Sequence, residues 1–123
     1  MEKDNTTNIF NFLPHVSKEF VLSKINESDI FSRYLYYPDL TLSFTNPFRD
    51  DKNADCKFYV SNSSKSLDRI RFKDFAYGYN WSCFDVVMVK YNLNFHNALQ
   101  KIAVDFDLFN LKNSDNDIII STN

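Results

Sequence analysis

The strongest chemical signal in this sequence is a stretch where positive charges alternate with apolar and aromatic residues. Residues 49–73 hold seven Lys and Arg against four acidic residues, a net charge of +3, although the whole chain has 14 Lys and Arg against 16 Asp and Glu. Side chains two residues apart on a strand share a face. Residues with this spacing are Lys57 and Tyr59 in one segment and Arg69, Arg71 and Lys73 in the next.

Cations beside aromatic rings suit single-stranded nucleic acid, because the charges follow the phosphates and the rings stack on bases. Trp81 is a further ring, which is either an exposed stacking platform or, with Tyr79, a cap on the core. An ordinary solvated sheet face gives the same pattern, so both interpretations stay open on the residues alone. The candidate nucleic-acid-binding residues are Lys57, Tyr59, Arg69, Arg71, Lys73 and Trp81.

No arrangement of residues indicates catalysis. Asp50 and Asp51 lie in a turn-rich segment, where aspartate is favoured for local hydrogen bonding. Asp105 and Asp107 stand near a helix end, and residues two apart on a helix diverge by about 200°. The only glycine, Gly78, excludes glycine-rich phosphate loops, which need several. We therefore predict that the chain is not an enzyme.

The cysteines and histidines do not form a metal-binding pattern. Cys56 and Cys83 are 27 positions apart, and neither they nor His15 and His96 have the spacing of a zinc finger or ribbon. We expect no metal or cofactor, free buried thiols and both histidines at the surface. Because the sequence shows no apolar leader and no apolar run near 18 residues, we also expect a cytoplasmic protein with no membrane partner.

The elements that must position these side chains indicate a small α+β domain. Alternating apolar and polar residues predict an antiparallel sheet, and apolar stripes at helical spacing predict about three helices that cover it. The predicted strands are 41–44, 56–60 and 69–75, and the predicted helices are 27–35, 83–91 and 95–106.

Capping residues mark where these helices begin. Ser82 is followed three residues later by Asp85, which is the spacing of a capping box. Asn94 is the expected cap of the last helix, and either Asn26 or Ser28 caps the first.

The length of 123 residues accommodates one compact domain with short tails. We assign residues 1–26 to a polar start and an apolar N-terminal arm, residues 27–109 to the domain and residues 110–123 to an acidic and apolar tail. The arm packs either on its own domain or on a partner. Within the tail, residues 118–121 form an extended segment that either adds to a sheet edge or stays free of it.

Three consecutive segments resemble a known family. They are NPFRDDKNADCKFYV, RFKDFAYGYNWSCFDVVMVKYNL and FHNALQKIAVDFDL, and they span roughly residues 37–108. In order and spacing they are similar to the N-terminal zinc-binding domain of bacterial and phage DNA primases. The resemblance implies a degenerate, zinc-less member of that fold, because the family's four ligand positions hold Asn46, Arg49, Asp74 and Tyr77.

The resemblance also implies a substitute for the missing metal. Structural zinc contributes on the order of 10 kcal/mol or more, so a chain that has lost it needs another link. The family fold brings Arg49 and Asp74 close together, and we expect their ion pair to replace the metal bridge. A further hydrogen bond is expected from Asn46 or from the hydroxyl of Tyr77.

In that family the domain contacts template and helps to regulate primer synthesis. The resemblance therefore implies a non-catalytic module that binds single-stranded DNA, accessory to replication or priming in a phage or mobile element. Its expected partners are the template and a primase or helicase chain. The rival hypothesis is a repurposed protein-interaction or structural module without nucleic-acid binding, whose N-terminal arm contacts a protein partner.

Overall fold

The computed structural model describes residues 13–50, 52–62 and 67–109, and it confirms an α+β fold. The predicted tail 110–123, with its apolar segment 118–121, lies outside the described residues. The elements in chain order are α1 (Lys18–Lys24), α2 (Glu27–Tyr34), β1 (Ser43–Phe44), β2 (Cys56–Val60), β3 (Ile70–Asp74), β4 (Tyr79–Trp81), α3 (Cys83–Tyr91) and α4 (Phe95–Asp105).

The strands form one antiparallel sheet, as predicted, and their order is β1-β2-β3-β4. In the longest pairing, Phe58 of β2 lies opposite Phe72 of β3, and Cys56 lies opposite Asp74. All four of these side chains are buried. Because side chains alternate along a strand, the residues between them point to the other side of the sheet. One face is therefore packed against the helices, and the other carries polar residues.

Two parts of the sheet differ from the prediction. Tyr79–Trp81 forms β4, which lies outside the three predicted strands, because three residues are too few to show an alternating pattern and only their pairing with β3 defines the strand. β1 occupies Ser43–Phe44 of the predicted strand 41–44. It begins late because Asp39 Oδ1 accepts hydrogen bonds from the backbone and the hydroxyl of Thr41, which holds that residue in a turn.

Side-chain caps fix the starts of the helices. Asn26 accepts a hydrogen bond from the backbone of Asp29 and Asp29 accepts one from Asn26, which decides between the two candidate caps of α2. Ser82 and Asp85 form the predicted capping box at α3. Asn94 caps α4, also as predicted.

Aromatic rings fill the core between the sheet and the helices. Phe58 lies edge-on to Phe31 of α2, with ring centroids 5.0 Å apart. Phe44 stacks on Phe58 and Phe72, at 5.1 and 5.6 Å. Both cysteines are buried thiols that form no disulfide, as predicted. None of the helices in the described ranges has the length and apolarity needed to cross a bilayer.

The described part of the N-terminal arm packs on its own domain. Val16 and Val21 belong to the buried core, and α1 lies against α4. Gln100 of α4 donates from Nε2 to the carbonyl groups of the two residues that precede His15, at 3.3 and 3.1 Å. His15 and His96 are exposed, as predicted, and their rings stack 5.0 Å apart. We did not predict α1, because seven residues with one buried position show no apolar stripe.

A partly buried hydrogen bond between side chains joins α2 to α4. The hydroxyl of Tyr34, a residue only 3% exposed, donates to Asp105 Oδ2 at 2.6 Å, and Lys101 Nζ lies 3.1 Å from the same oxygen. Burial and the bond to Asp105 raise the pKa of Tyr34 well above its usual range, so the phenol keeps its proton. Asp105 therefore contacts Tyr34 of α2 and Lys101 of its own helix, α4.

The variant Tyr34→Phe tests this link. It removes the hydroxyl and leaves Asp105 with Lys101, so we expect a loss of about 1.5–3 kcal/mol in the free energy of unfolding, the range for a hydrogen bond to a charged group. Urea denaturation measures it. The matched control is Tyr37→Phe, at a residue 69% exposed, which should stay within about 0.5 kcal/mol of the wild type. Equal losses in the two variants would contradict the role of the hydroxyl.

Candidate nucleic-acid interface

Asp74, the last residue of β3, is the centre of a buried polar cluster. Its side chain is 0% exposed. Its Oδ2 accepts hydrogen bonds from Asn46 Nδ2 at 2.7 Å and from Arg49 Nη2 and Nε at 2.9 and 3.2 Å. Its Oδ1 accepts from the backbone N–H groups of Ala76 and Tyr77, at 2.9 and 3.1 Å. One carboxylate therefore joins the loop between β1 and β2 to the turn between β3 and β4.

The four residues at the expected ligand positions meet in this cluster. The ion pair between Arg49 and Asp74 is present, and Asn46 supplies the expected additional hydrogen bond. Asn46 Oδ1 also accepts from the backbone N–H of Phe48 at 2.8 Å, which shapes the loop. Tyr77 contributes its backbone N–H and the face of its ring, 4.2 Å from the guanidinium carbon of Arg49. The Tyr77 hydroxyl is not among the groups that contact the carboxylate.

Opposing effects set the pKa of Asp74. Burial raises the pKa, because the charged form loses its water. Hydrogen bonds from Asn46, Arg49 and the backbone of Tyr77, together with the charge of Arg49, lower it further than burial raises it, to about 2 from an ordinary value of 3.8. Asp74 is therefore ionised at neutral pH, and Arg49 compensates its charge.

The donors in this cluster suit a carboxylate and not a metal ion. An amide, a guanidinium and two backbone N–H groups all point their hydrogens at Asp74. Across residues 13–50, 52–62 and 67–109, no group of three or more His, Cys, Asp or Glu is placed to share a metal ion. The cluster is a hydrogen-bonded ion pair that ties two loops together.

The face of the sheet away from the helices carries most of the predicted basic residues, and we call it the open face. Lys57 of β2 lies opposite Lys73 of β3, and Tyr59 lies opposite Arg71. Asn80 of β4 lies opposite Lys73 and extends the same row. Because these residues alternate with the buried ones, they share one surface.

Lys57 and Lys73 form a like-charge pair on the open face. In the part of the chain that the structure describes, neither lysine has a carboxylate within ion-pair distance. Like charges directly opposite each other on a sheet destabilise it. Among the described residues, Lys73 has only the ring of Phe75, 5.7 Å from its Nζ, as a favourable contact for its charge, so the pair is available to an anionic ligand.

The two arginines of the predicted site have partners. Arg71 lies 3.6 Å from Asp68 and 4.0 Å from Asp85, so carboxylates offset much of its charge. The guanidinium of Arg69 donates to the carbonyl of Ser61, at 3.2 and 3.3 Å. The sequence predicted four equivalent cations, and the structure divides them into two unpaired lysines and two engaged arginines.

Trp81 lies on the opposite face from these cations, so the structure separates it from the other candidate nucleic-acid-binding residues. It pairs with Phe72 in the register, and their ring centroids are 5.5 Å apart. Phe48 lies 5.7 Å away, and Tyr79 stacks on Trp81 at 4.7 Å. Of its two expected roles, Trp81 has the packing one. Its face could not be counted along the predicted strand 69–75, because Trp81 lies beyond the end of that strand.

Asn80 is a residue of the open face that the sequence analysis missed. Its Nδ2 donates to the Tyr59 hydroxyl at 2.7 Å, and its Oδ1 accepts from Arg71 Nε at 2.9 Å. Its carbonyl also accepts from Arg71 Nη2 at 3.0 Å. Nothing in the sequence pointed to Asn80, because it lies outside the three predicted strands.

Other surface features lie away from the open face. A groove of about 590 Å³ between α2 and α4 includes Tyr34 and Asp105 in its lining. A smaller groove of about 260 Å³ lies beside β1. Exposed apolar side chains stand in or next to it, and we call them the apolar patch: Tyr36, Tyr37, Leu40 and Leu42.

Comparisons with known proteins found no match: no protein-family model, no curated protein and no solved structure is similar to this chain. The relationship to the primase domain therefore stays a prediction from the residues quoted above. The side-chain arrangement of the open face has to support the functional conclusion by itself.

The variant Asp74→Asn tests the buried cluster. It keeps the shape of the side chain and leaves Arg49 without its counter-charge, so we expect a loss of about 3–5 kcal/mol in the free energy of unfolding. Urea denaturation measures it. The control is Asp50→Asn, an exposed carboxyl in the same loop, with an expected change within about 0.5 kcal/mol. A loss below about 1 kcal/mol in Asp74→Asn would show that the ion pair does not hold the loops.

The pH dependence of stability gives a second test of the cluster. The folded protein holds the pKa of Asp74 at about 2, below its ordinary 3.8, so the unfolded chain takes up this proton first as the pH falls. The stabilisation from Asp74 is fully present above about pH 4 and is lost as the pH falls through about 2, a change of roughly 2 kcal/mol. The stability gap between the wild type and Asp74→Asn should narrow by that amount. If the difference in unfolding free energy between the two proteins does not change with pH, the lowered pKa of Asp74 is contradicted.

Proposed function

We propose that the open face of the sheet binds single-stranded nucleic acid and that the protein acts without catalysis. The observation that supports this proposal is the like-charge pair of Lys57 and Lys73, for which the described residues supply no carboxylate partner. Two lysines held side by side cost folding energy, and a phosphate backbone placed between them offsets that cost. A basic surface of this kind binds polyanions even when the whole chain is slightly acidic.

An aromatic side chain beside the lysines supports a single strand over a duplex. Tyr59 lies one row from Lys57 on the same face, and the residue is 38% exposed. The face of its ring is a surface on which an unpaired base stacks, whereas the bases of a duplex are already stacked on each other. Cations, a phenol and an amide meet on the open face, and these groups bind phosphates and bases.

The accessory role in DNA priming is a further part of this proposal. It rests on the sequence resemblance to the zinc-binding domain of primases, and a primase or helicase chain is the partner that this resemblance implies. A phage or a mobile element is the expected source. These statements depend on the resemblance, whereas nucleic-acid binding depends on the geometry of the open face.

Fluorescence anisotropy with a labelled single-stranded oligonucleotide tests the binding. Two unpaired lysines predict a slope of log K against log salt of about −1.4, from roughly −0.7 for each phosphate neutralised. Either Lys57→Gln or Lys73→Gln should weaken binding and reduce the slope by about 0.7. The control is Lys24→Gln, an exposed lysine on α1, which should leave both values unchanged. Flat anisotropy at low salt would refute the proposal.

The apolar patch favours a second candidate function, a protein-interaction module. Tyr36, Tyr37, Leu40 and Leu42 expose apolar surface within a few residues of one another, and such patches mark protein contacts. Flat anisotropy, together with loss of a specific partner in Leu42→Asp, would support this function. A surface substitution is the sharper test than deletion of residues 1–22, because that deletion would also remove Val16 and Val21 from the core.

A further inference from the structure

Three side chains from three strands form a hydrogen-bonded line across the open face. Asn80 is the middle member of this chain of hydrogen bonds, because the two ends of its amide bond the other two side chains. It donates to the Tyr59 hydroxyl at 2.7 Å and accepts from Arg71 at 2.9 Å. Because Arg71 has only donors, the amide oxygen of Asn80 must face it, and the amide NH₂ is then directed at Tyr59.

This line fixes the position of the Tyr59 ring without covering it. The hydroxyl is tied to Asn80 at the rim of the ring, and no ring or cation from the described residues stacks on its face. A side chain that is already ordered loses less entropy when a ligand binds.

The register of β2 and β3 sets the spacing along the strands between the lysine pair and this ring. Tyr59 and Lys57 are two residues apart on β2, and their neighbours Arg71 and Lys73 are two residues apart on β3. Two residues of a strand span about 6.6 Å, which is comparable with the repeat of an extended nucleotide chain. A base over Tyr59 can therefore have a neighbouring phosphate between Lys57 and Lys73.

We propose that the Tyr59 ring is a stacking platform for one unpaired base, that Lys57 and Lys73 hold the adjacent phosphate, and that Asn80 is the positioning residue that keeps the platform in place. This inference rests on the proposed function and adds its ligand unit, a base together with its neighbouring phosphate. It also separates two contributions to affinity. The lysines supply the part that depends on salt, and the ring supplies a part that does not.

The test measures both contributions on the full chain. The probe is a short oligothymidylate that carries a base analogue whose fluorescence is quenched by stacking, titrated across a salt series. We expect quenching with the wild type on the single strand and none on the matching duplex. Tyr59→Leu should weaken binding roughly fivefold to 150-fold, the range for the loss of one stacked base, abolish the quenching and leave the salt slope unchanged.

The variants of Asn80 and Tyr59 separate positioning from simple folding. Asn80→Ala should reduce the quenching and the affinity at an unchanged salt slope, whereas Tyr59→Phe keeps the ring and should retain most of the quenching. Lys73→Gln should reduce the salt slope by about 0.7 and retain the quenching at saturation. Unfolding curves for each variant show whether the fold is intact, and Tyr59→Phe keeps the test decisive if Asn80→Ala proves unstable.

The outcomes distinguish this inference from the proposed function. If the wild type does not bind the oligonucleotide at low salt, the proposed function fails and the platform fails with it. If the wild type binds with the expected slope but Tyr59→Leu binds equally well, the function stands and the platform is wrong. If Tyr59→Leu loses quenching and Asn80→Ala does not, the platform stands and the positioning role is wrong.

Discussion

The buried charge of Asp74 is the constraint on which the architecture of the sheet depends. A carboxylate without water needs donors on both oxygens and a positive charge nearby. Asn46, Arg49 and the turn after β3 meet these requirements together. The loop before β2 therefore cannot move without leaving the carboxylate unsatisfied. The same contacts hold the turn that returns the chain as β4, and β4 carries Asn80 to the open face.

Local signals explain the parts of the fold that the sequence predicted. The alternation in β2 and β3 spans five residues in each strand. In the capping boxes of α2 and α3, the cap and its partner are three positions apart in the sequence. These patterns need only neighbours along the chain. β4 and α1 escaped prediction because neither segment has a pattern of its own that marks it in the sequence. β4 depends on its pairing with β3, and α1 depends on its packing against α4.

The candidate site was predicted in its residue types and less well in its arrangement. Periodicity of two placed Lys57 with Tyr59 on one face of their strand and Arg71 with Lys73 on one face of theirs, because that rule is local. The pairing of β2 with β3 brings the two sets to the same side of the sheet. Periodicity could not reveal that Asp68 and Asp85 approach Arg71, since Asp68 lies in the loop just before β3 and Asp85 lies in α3, outside the strand that the rule describes. It also could not fix the side of the sheet on which Trp81 lies. That side depends on how many residues the turn after β3 contains, and the sequence did not define the length of this turn. The cluster at Asp74 was anticipated through a resemblance, and the structure brings the pair together at 2.9 Å.

The lysine pair also affects how molecules of this protein meet one another. Among the described residues, the helices pack on one side of the four-stranded sheet, and an exposed sheet face is a surface on which a second sheet can pack. Lys57 and Lys73 lie opposite each other on the two central strands of that face. A second molecule arriving in the same orientation would bring four like charges together, so self-stacking is disfavoured and the surface stays accessible during folding and synthesis.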